Sequence, residues 1–299
     1  MKKTGVGLIG LLCLLILYLC FWPVPIAPQS WDAPVNAGYT GDFAPNEQLA
    51  NLDRLDIGDI HGPEDVAART LGGKLYLFVS SQDGLIRKID PEAGTFETFA
   101  DTGGVPLGVE FDTAGNLLVA DAHKGLLSIA PNGAVTVLTD SVADTPILYA
   151  DDVDIAPNGE IYFSDASTKF GAKAAGSTLA GSLLEIMEHG RTGRLLAYNP
   201  DTGETRVIMT GLSFSNGVAI APDGQSVLVN ETGKYRVMRV WIEGEKTGET
   251  EIVIDNLPGF PDNINPGPDG TFFLGLVSQR APALDDLSSK PFMRKLIWR

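Results

Sequence analysis

Five segments of the chain, beginning at Gly73, Gly115, Gly159, Gly224 and Gly270, follow one plan: a glycine turn, a short apolar strand, a polar or small-residue turn, and often another strand. They read GKLYLFVSS, GNLLVADA, GEIYFSDA, GQSVLVNE and GTFFLGLV. Successive glycines stand 42, 44, 65 and 46 residues apart, and a period near forty is that of a four-stranded propeller blade. Turns such as Pro131-Asn132-Gly133, Pro157-Asn158-Gly159 and Pro222-Asp223-Gly224 separate strands of four to six residues. Helical periodicity is almost absent. The expected fold is therefore all-β, a six-bladed type of β-propeller with an incomplete last blade, because only five repeats are visible. A further strand is expected near residues 52–60, and helix or coil at the end of the chain.

One spacing is about twenty residues too long. The excess lies between Asp165 and Arg194, in a stretch poor in β-branched residues that predicts a short helix near residues 181–189. Such an insertion sits on a face of a propeller, either as a lid over the central pocket or as a plain surface loop.

Acidic and amide residues recur in phase with the repeat, just before each innermost strand: Glu64 in HGPEDVA, Asp151 and Asp152 in YADDVDIAPNG, Asn216 in FSNGVAIAPDG, and Asp262 and Asn263 in GFPDNINPGPDG. Each has a plain reading as a turn or surface residue. Because the inner strands of a propeller start toward one axis, their oxygens converge although they are far apart in sequence. Hard oxygen donors with net negative charge suit calcium, or another divalent cation, rather than zinc or copper.

Charge supports the same direction. The chain carries 38 Asp and Glu against 22 Lys and Arg, a formal net charge of −16, so a nucleic-acid partner is excluded and a cation is favoured. The two cysteines, Cys13 and Cys20, both fall in the apolar N-terminal run, which leaves the domain without a disulfide or a thiolate metal site. Of the three histidines, His123 in ADAHKGLL follows an inner strand and could touch the cavity, as a third candidate catalytic group beside Asp151 and Asp152. No GxSxG elbow or nucleotide-binding glycine loop occurs.

Lys2 and Lys3 precede an uncharged run of 17 residues, 6–22, which ends in Tyr18, Phe21 and Trp22. That length is near the lower limit for a bilayer-spanning helix, and the aromatic end suits an interface. The expectation is one uncleaved transmembrane helix over residues 1–23, a linker and lead-in over 24–50, and a propeller over 51–299 outside the cytoplasm. A cleaved signal peptide, the alternative, puts the domain on the same side.

The phrases GPEDVA, GVPLGVEFDTAGNLLVADAHKGLL, GEIYFSDASTKF, GRLLAYNPDTGETRVI, FSNGVAIAPDG, RVWIEGEKTGETE and LPGFPDNINPGPDG resemble the strictosidine synthase-like proteins, particularly the adipocyte plasma membrane-associated type. These are similar in turn to the paraoxonases, gluconolactonase and regucalcin. The resemblance implies calcium at the bottom of a central cavity, held by Glu64, Asp151, Asn216, Asp262 and Asn263. Asp151 departs from the pattern, since those relatives usually carry Asn there. Strictosidine synthase itself condenses an amine with an aldehyde through a late Glu for which this sequence offers no position. Its condensing relatives lack the Asp of the Asp-Asn pair, so Asp262 implies metal-dependent hydrolysis of a small molecule: a lactone, an aryl ester or a phosphotriester. A non-enzymatic, membrane-tethered propeller that binds a protein or small ligand is the other expectation, and oligomeric state is left open.

Overall fold

The computed structural model describes every residue except Met1, Asp53, Asp56, Ile57 and Asp59, with side chains from Gly7 onward. Among the described residues, five antiparallel sheets and one small two-stranded hairpin follow one another along the chain. The first contains β1 (Pro63–Leu71), β2 (Lys74–Ser81), β3 (Leu85–Asp90) and β4 (Thr95–Asp101). The second has β5 (Pro106–Phe111), β6 (Leu117–Asp121), β7 (Gly125–Ile129) and β8 (Val135–Thr139). After a small hairpin of β9 (Ser141–Val142) and β10 (Thr145–Pro146), the third has β11 (Ala150–Ile155), β12 (Ile161–Asp165), β13 (Gly193–Asn199) and β14 (Glu204–Leu212). The fourth contains β15 (Ser215–Ile220), β16 (Ser226–Glu231), β17 (Arg236–Trp241) and β18 (Thr250–Ile254). The fifth has only β19 (Gly259–Pro266) and β20 (Phe272–Gln279).

The repeat glycines precede the second strand of each sheet. These second strands are apolar without alternation, and β6, β12 and β16 are buried along their whole length, because the second, third and fourth sheets are each covered on both faces by their neighbours. Val109, Leu117, Val119 and Leu127 pack against Phe78 and Ile86 of the first sheet. Leu118, Ala120 and Leu126 meet Val153, Ile161 and Phe163 of the third, whose Tyr162, Leu195 and Ala197 meet Val218, Val227 and Val229 of the fourth. Each large side chain so buried contributes about 2 kcal/mol.

Neighbouring inner strands lie side by side in chain order, from β1 through β5, β11 and β15 to β19. One device joins them. Asp65 Oδ2 of β1 accepts from Val109 N of β5 at 2.9 Å, and Asp152 Oδ2 of β11 accepts from Val218 N of β15 at 2.7 Å. The position equivalent to these acids is glycine in the alternate strands. A Cβ on Gly108 would lie 2.5 Å from Asp152 Cα, and one on Gly217 would lie 2.5 Å from Asp262 O, so the next strand can approach only a glycine. Asn263 Nδ2 donates to Glu64 O at 3.0 Å and brings the last inner strand back to the first.

Four complete sheets and one of two strands therefore stand where six blades were expected. After Gln279 the chain turns through α4 (Pro282–Asp286) and α5 (Pro291–Ile297), each with proline in its first turn, where a missing N–H costs nothing. A cleft of about 430 Å³ separates the first and fifth sheets, with Val66, Val79 and Phe273 on its walls. The strand expected at residues 52–60 lies partly outside the described residues, and Leu52, Arg54, Leu55 and Ile60 are not in a strand.

The N-terminal helix α1 (Lys2–Phe21) has 20 residues, and its apolar side chains are exposed from Leu8 to Leu17. Among the described residues, however, no helix is long and apolar enough to cross a membrane. The predicted helix in the insertion is α3 (Thr178–Glu188), preceded by the single turn α2 (Ala172–Ala175). Ser177 Oγ caps α3 by accepting from Ala180 N at 3.0 Å, and His189 ends it in the left-handed conformation. Buried Glu185 fastens it, accepting from Ser167 Oγ at 2.9 Å and Thr192 Oγ1 at 2.7 Å.

Candidate active site

Every inner strand of the five sheets carries a β-bulge near its start, between Pro63 and Val66, Pro106 and Val109, Ala150 and Val153, Ser215 and Val218, and Pro261 and Ile264. A bulge inserts an extra residue and re-aims side chains. The phased residues sit inside the strands at these bulges rather than just before them. Glu64, Asp151, Asn216 and Asp262, each from a different sheet, thereby line one central cavity of about 540 Å³, with Leu107 at the equivalent position of the second sheet.

The rest of the cavity is mainly apolar. Tyr149, Phe214 and Phe260 each stand two residues before a phased position, and all three line it. Tyr149 and Phe214 meet edge to face with centroids 5.3 Å apart. Phe214 holds a left-handed backbone at φ 59°, a strained conformation for an aromatic residue. Leu179, Leu183, Ile186 and Met187 of α3 form one wall, beside Val277, Ala281 and Leu284, and Tyr149 OH ties α3 down by donating to Thr178 O at 3.0 Å. The insertion is thus a roof to the pocket, and these aromatic and aliphatic residues were missed in the sequence, although the aromatic two places before Asp151, Asn216 and Asp262 was a visible signal.

Among the described residues, no Lys, Arg or His lines this cavity. Burial first, then the charges of Asp262 and Asp65, pushes Glu64 up to about 7. Asp151 is held well above the usual carboxylate range by burial and then by Glu64 and Asp262, and burial also raises Asp262. Asn216 Nδ2 donates to Asp262 Oδ1 at 2.7 Å. Asp151 Oδ2 and Asn216 Oδ1 are buried without a hydrogen-bond partner. Uncompensated carboxylates beside orphaned oxygens are the donor chemistry of a hard cation. Among the described residues, no three His, Cys, Asp or Glu side chains are grouped closely enough to hold an ion by themselves, so the fit depends on the amide oxygen of Asn216 as well as on the carboxylates.

The other expected residues lie elsewhere. Asp152 is buried between sheets, its oxygens occupied by Val153 N and Val218 N. His123 is half-buried and absent from the cavity lining, with its backbone N–H on Asp121 Oδ1. Asn263 lines the cleft between the first and fifth sheets instead. A second cleft, of about 590 Å³, lies at the far ends of the inner strands beside Glu110 and Asp154, but both Asp154 oxygens already accept backbone N–H groups, from Ile155 and Ile220.

Comparison with known proteins agrees with this architecture. The strictosidine synthase family description matches residues 151–245, and that of the strictosidine synthase-like N-terminal region matches residues 41–89. Protein STRICTOSIDINE SYNTHASE-LIKE 13 of Arabidopsis thaliana is 37% identical, over 84% of this chain and 67% of its own length. The adipocyte plasma membrane-associated protein of Rattus norvegicus is 34% identical, over 92% of this chain and 76% of its own. Among solved structures, a gluconolactonase of Xanthomonas campestris superposes with a TM-score of 0.58 at 16% identity, covering 72% of this chain and 71% of that one. The calcium-binding protein regucalcin of Agrobacterium tumefaciens does so with 0.55 at 18%, covering 74% and 70%. At that identity the likeness shows the fold alone, a β-propeller, whereas the first two relatives show kinship: the chain belongs to the strictosidine synthase-like family that includes the adipocyte plasma membrane-associated proteins.

Proposed function

We propose that this protein is a calcium-dependent hydrolase of lactones or aryl esters, held at a membrane by α1. The observation that carries the hydrolase reading is the convergence of Glu64, Asp151, Asn216 and Asp262 in a cavity with no basic residue and with two buried, unpartnered oxygens. Glu64, Asn216, Asp262 and Asp151 are the residues that would hold the cation. When bound, calcium supplies a Lewis acid for the ester carbonyl and for the charge that develops on its oxygen.

The chain's own groups do the rest. Tyr149, Phe214, Phe260 and the leucines of α3 bury the apolar body of the substrate and exclude bulk water. Asp151, whose Oδ2 has no partner, would either give that oxygen to the cation or use it to take a proton from the attacking water. Asp152 and His123 are less suited to that role, since the first spends its oxygens on backbone and the second does not line the cavity. Gluconolactonase and regucalcin as neighbours in fold support a lactonase-type propeller and a divalent ion.

The test is turnover of a panel of lactones and aryl esters, with calcium and with excess chelator. Hydrolysis lost in chelator and restored by calcium is expected; no turnover in a protein that calcium still protects from heat would replace the hydrolase with a binding scaffold.

For the membrane, support comes from the 17-residue uncharged run behind Lys2 and Lys3 and from the plasma membrane association named in the rat relative. The expected topology has the lysines inside and the propeller outside the cytoplasm. Retention of the chain in membranes after an alkaline wash, with the propeller open to protease only from the outer side, is the result expected; release by the wash would remove the anchor.

A further inference from the structure

The last ten residues, 290–299, contain Lys290, Arg294, Lys295 and Arg299 and no Asp or Glu, in a chain of formal charge −16. Most of them form α5, whose Phe292, Met293 and Ile297 are exposed, Phe292 by 55% and Ile297 by 61%. A helix with bare apolar side chains and basic neighbours has the composition of one that lies in a membrane interface.

Its position points to the same surface. The Arg299 guanidinium caps the end of α1: Nη1 donates to Leu19 O at 2.6 Å and Nε to Trp22 O at 2.8 Å. Tyr18 OH returns a bond to Arg299 O at 3.0 Å. Leu19 lies in the last turn of α1, whose carbonyls have no partners within the helix, and Trp22 directly follows it. Tyr18, Phe21 and Trp22 are of the type that settles at headgroup level, so the end of α5 is fixed at the level where α1 leaves the apolar core. On the inner side, buried Arg294 donates to Met187 O of α3 at 3.0 Å, to Ser288 O at 3.1 Å, and to Gln29 O in the linker. The helix is thus bolted between the anchor and the roof of the cavity.

We propose that α5 is an interfacial helix: Phe292, Met293 and Ile297 enter the edge of the bilayer that holds α1, while Lys290 and Lys295 pair with anionic lipid headgroups. The inference rests on the anchoring part of the proposed function. Charge complementarity selects the lipid surface over a second copy of the chain meeting it face to face, because that copy would present the same Lys290 and Lys295, the two cations of this segment not already engaged by carbonyls.

The test uses the full chain with Cys13→Ser and Cys20→Ser, carrying one environment-sensitive fluorophore at Ile297→Cys or, as reference, at Val253→Cys on β18. Each protein is reconstituted into vesicles of phosphatidylcholine, alone or with phosphatidylglycerol, and floated. With phosphatidylglycerol, the Ile297 probe should shift to the blue and lose at least half its emission to a nitroxide-labelled lipid. Lys290→Glu with Lys295→Glu should abolish most of that response, and the Val253 probe should not move. Chain that floats with an Ile297 probe as wet as the Val253 probe would overturn the inference and leave the anchor standing. Failure to float would remove the anchor and this inference together. An equal response in neutral vesicles would overturn the anionic partner, and an Ile297 probe already dry without lipid would mean that another part of the chain covers the face.

Discussion

Asn216 Nδ2 donates to Asp262 Oδ1 at 2.7 Å, reaching from the inner strand of the fourth sheet to that of the fifth, while Asn216 Oδ1 stays buried without a partner. The amide is oriented by this contact, because the opposite flip would set two acceptors against each other. Its nitrogen steadies a carboxylate whose ionisation burial opposes, and its oxygen is left as an uncharged donor to a cation. Together the two side chains join neighbouring sheets and present one of the two orphaned oxygens of the cavity.

Asp262→Ala removes the carboxylate and leaves Asn216 without its acceptor. Turnover should fall about 100-fold or more, as for loss of one group that stabilises developing charge, and the rise in melting temperature that calcium gives the parent should vanish. The variant should still unfold cooperatively in urea. Loss of cooperative folding together with binding would instead mark the site as a clamp between sheets, which is the scaffold function.

Asp151→Asn restores the amide usual in the resembled calcium-binding propellers. Since Asp151 is held well above the ordinary carboxylate range, first by burial and then by Glu64 and Asp262, removing its charge relieves the cation-free protein. At pH 8 in chelator the melting temperature should rise, while calcium affinity falls. If Asp151 is also the base, kcat drops and its dependence on pH changes shape; an unchanged pH profile would assign the proton transfer to another group.

The five sheets were legible because each second strand announces itself as a glycine followed by an apolar run, which in β6, β12 and β16 is what burial on both faces requires. The polar residues at the bulges were legible by their phase with that repeat. Asp152 was not separable from Asp151 in sequence: adjacent residues at a bulge diverge, and only coordinates show that Asp151 reaches the cavity while Asp152 accepts Val218 N. The same holds for Asn263 beside Asp262, which faces the cleft between the first and fifth sheets. His123 carried no phase signal, and its place outside the cavity agrees with that. The roof was half legible: its helix was expected, but its contact with the polar floor depends on Glu185, Ser167 and Thr192 closing the insertion at its base.

Glu110 and Asp154, at the far ends of the inner strands, give a stability that depends on pH. Burial foremost pushes Glu110 up from 4.5 to about 7 and Asp154 up from 3.8 to about 6. Between those limits the folded state keeps protons that the unfolded chain has released, so their contribution is present in full at low pH and is lost as pH rises through 6 to 7. Urea unfolding in chelator should show stability falling by on the order of 4 kcal/mol between pH 5 and 8 from this pair, after allowance for other groups by comparison with Glu110→Gln, in which the slope should be shallower. A slope identical in the parent and in Glu110→Gln would show that this carboxyl does not titrate as proposed.

Gly217 tests how the polar floor is held by the packing of strands beneath it. Its position in β15 corresponds to Asp152 in β11, yet a Cβ there would lie 2.5 Å from Asp262 O and 2.6 Å from Ile264 N and from Asn230 Nδ2. Two of those atoms are backbone of β19, so they can yield only by moving the strand that carries Asp262. Gly217→Ala should therefore cost about 1–3 kcal/mol in urea unfolding, and it should also weaken calcium protection, because Asp262 moves with its strand away from Asn216. The two effects separate the explanations. Lost stability with calcium affinity intact would mean that β19 shifts as a unit without disturbing the Asn216–Asp262 contact, whereas unchanged stability would show that the sheets do not need the close approach that this glycine permits.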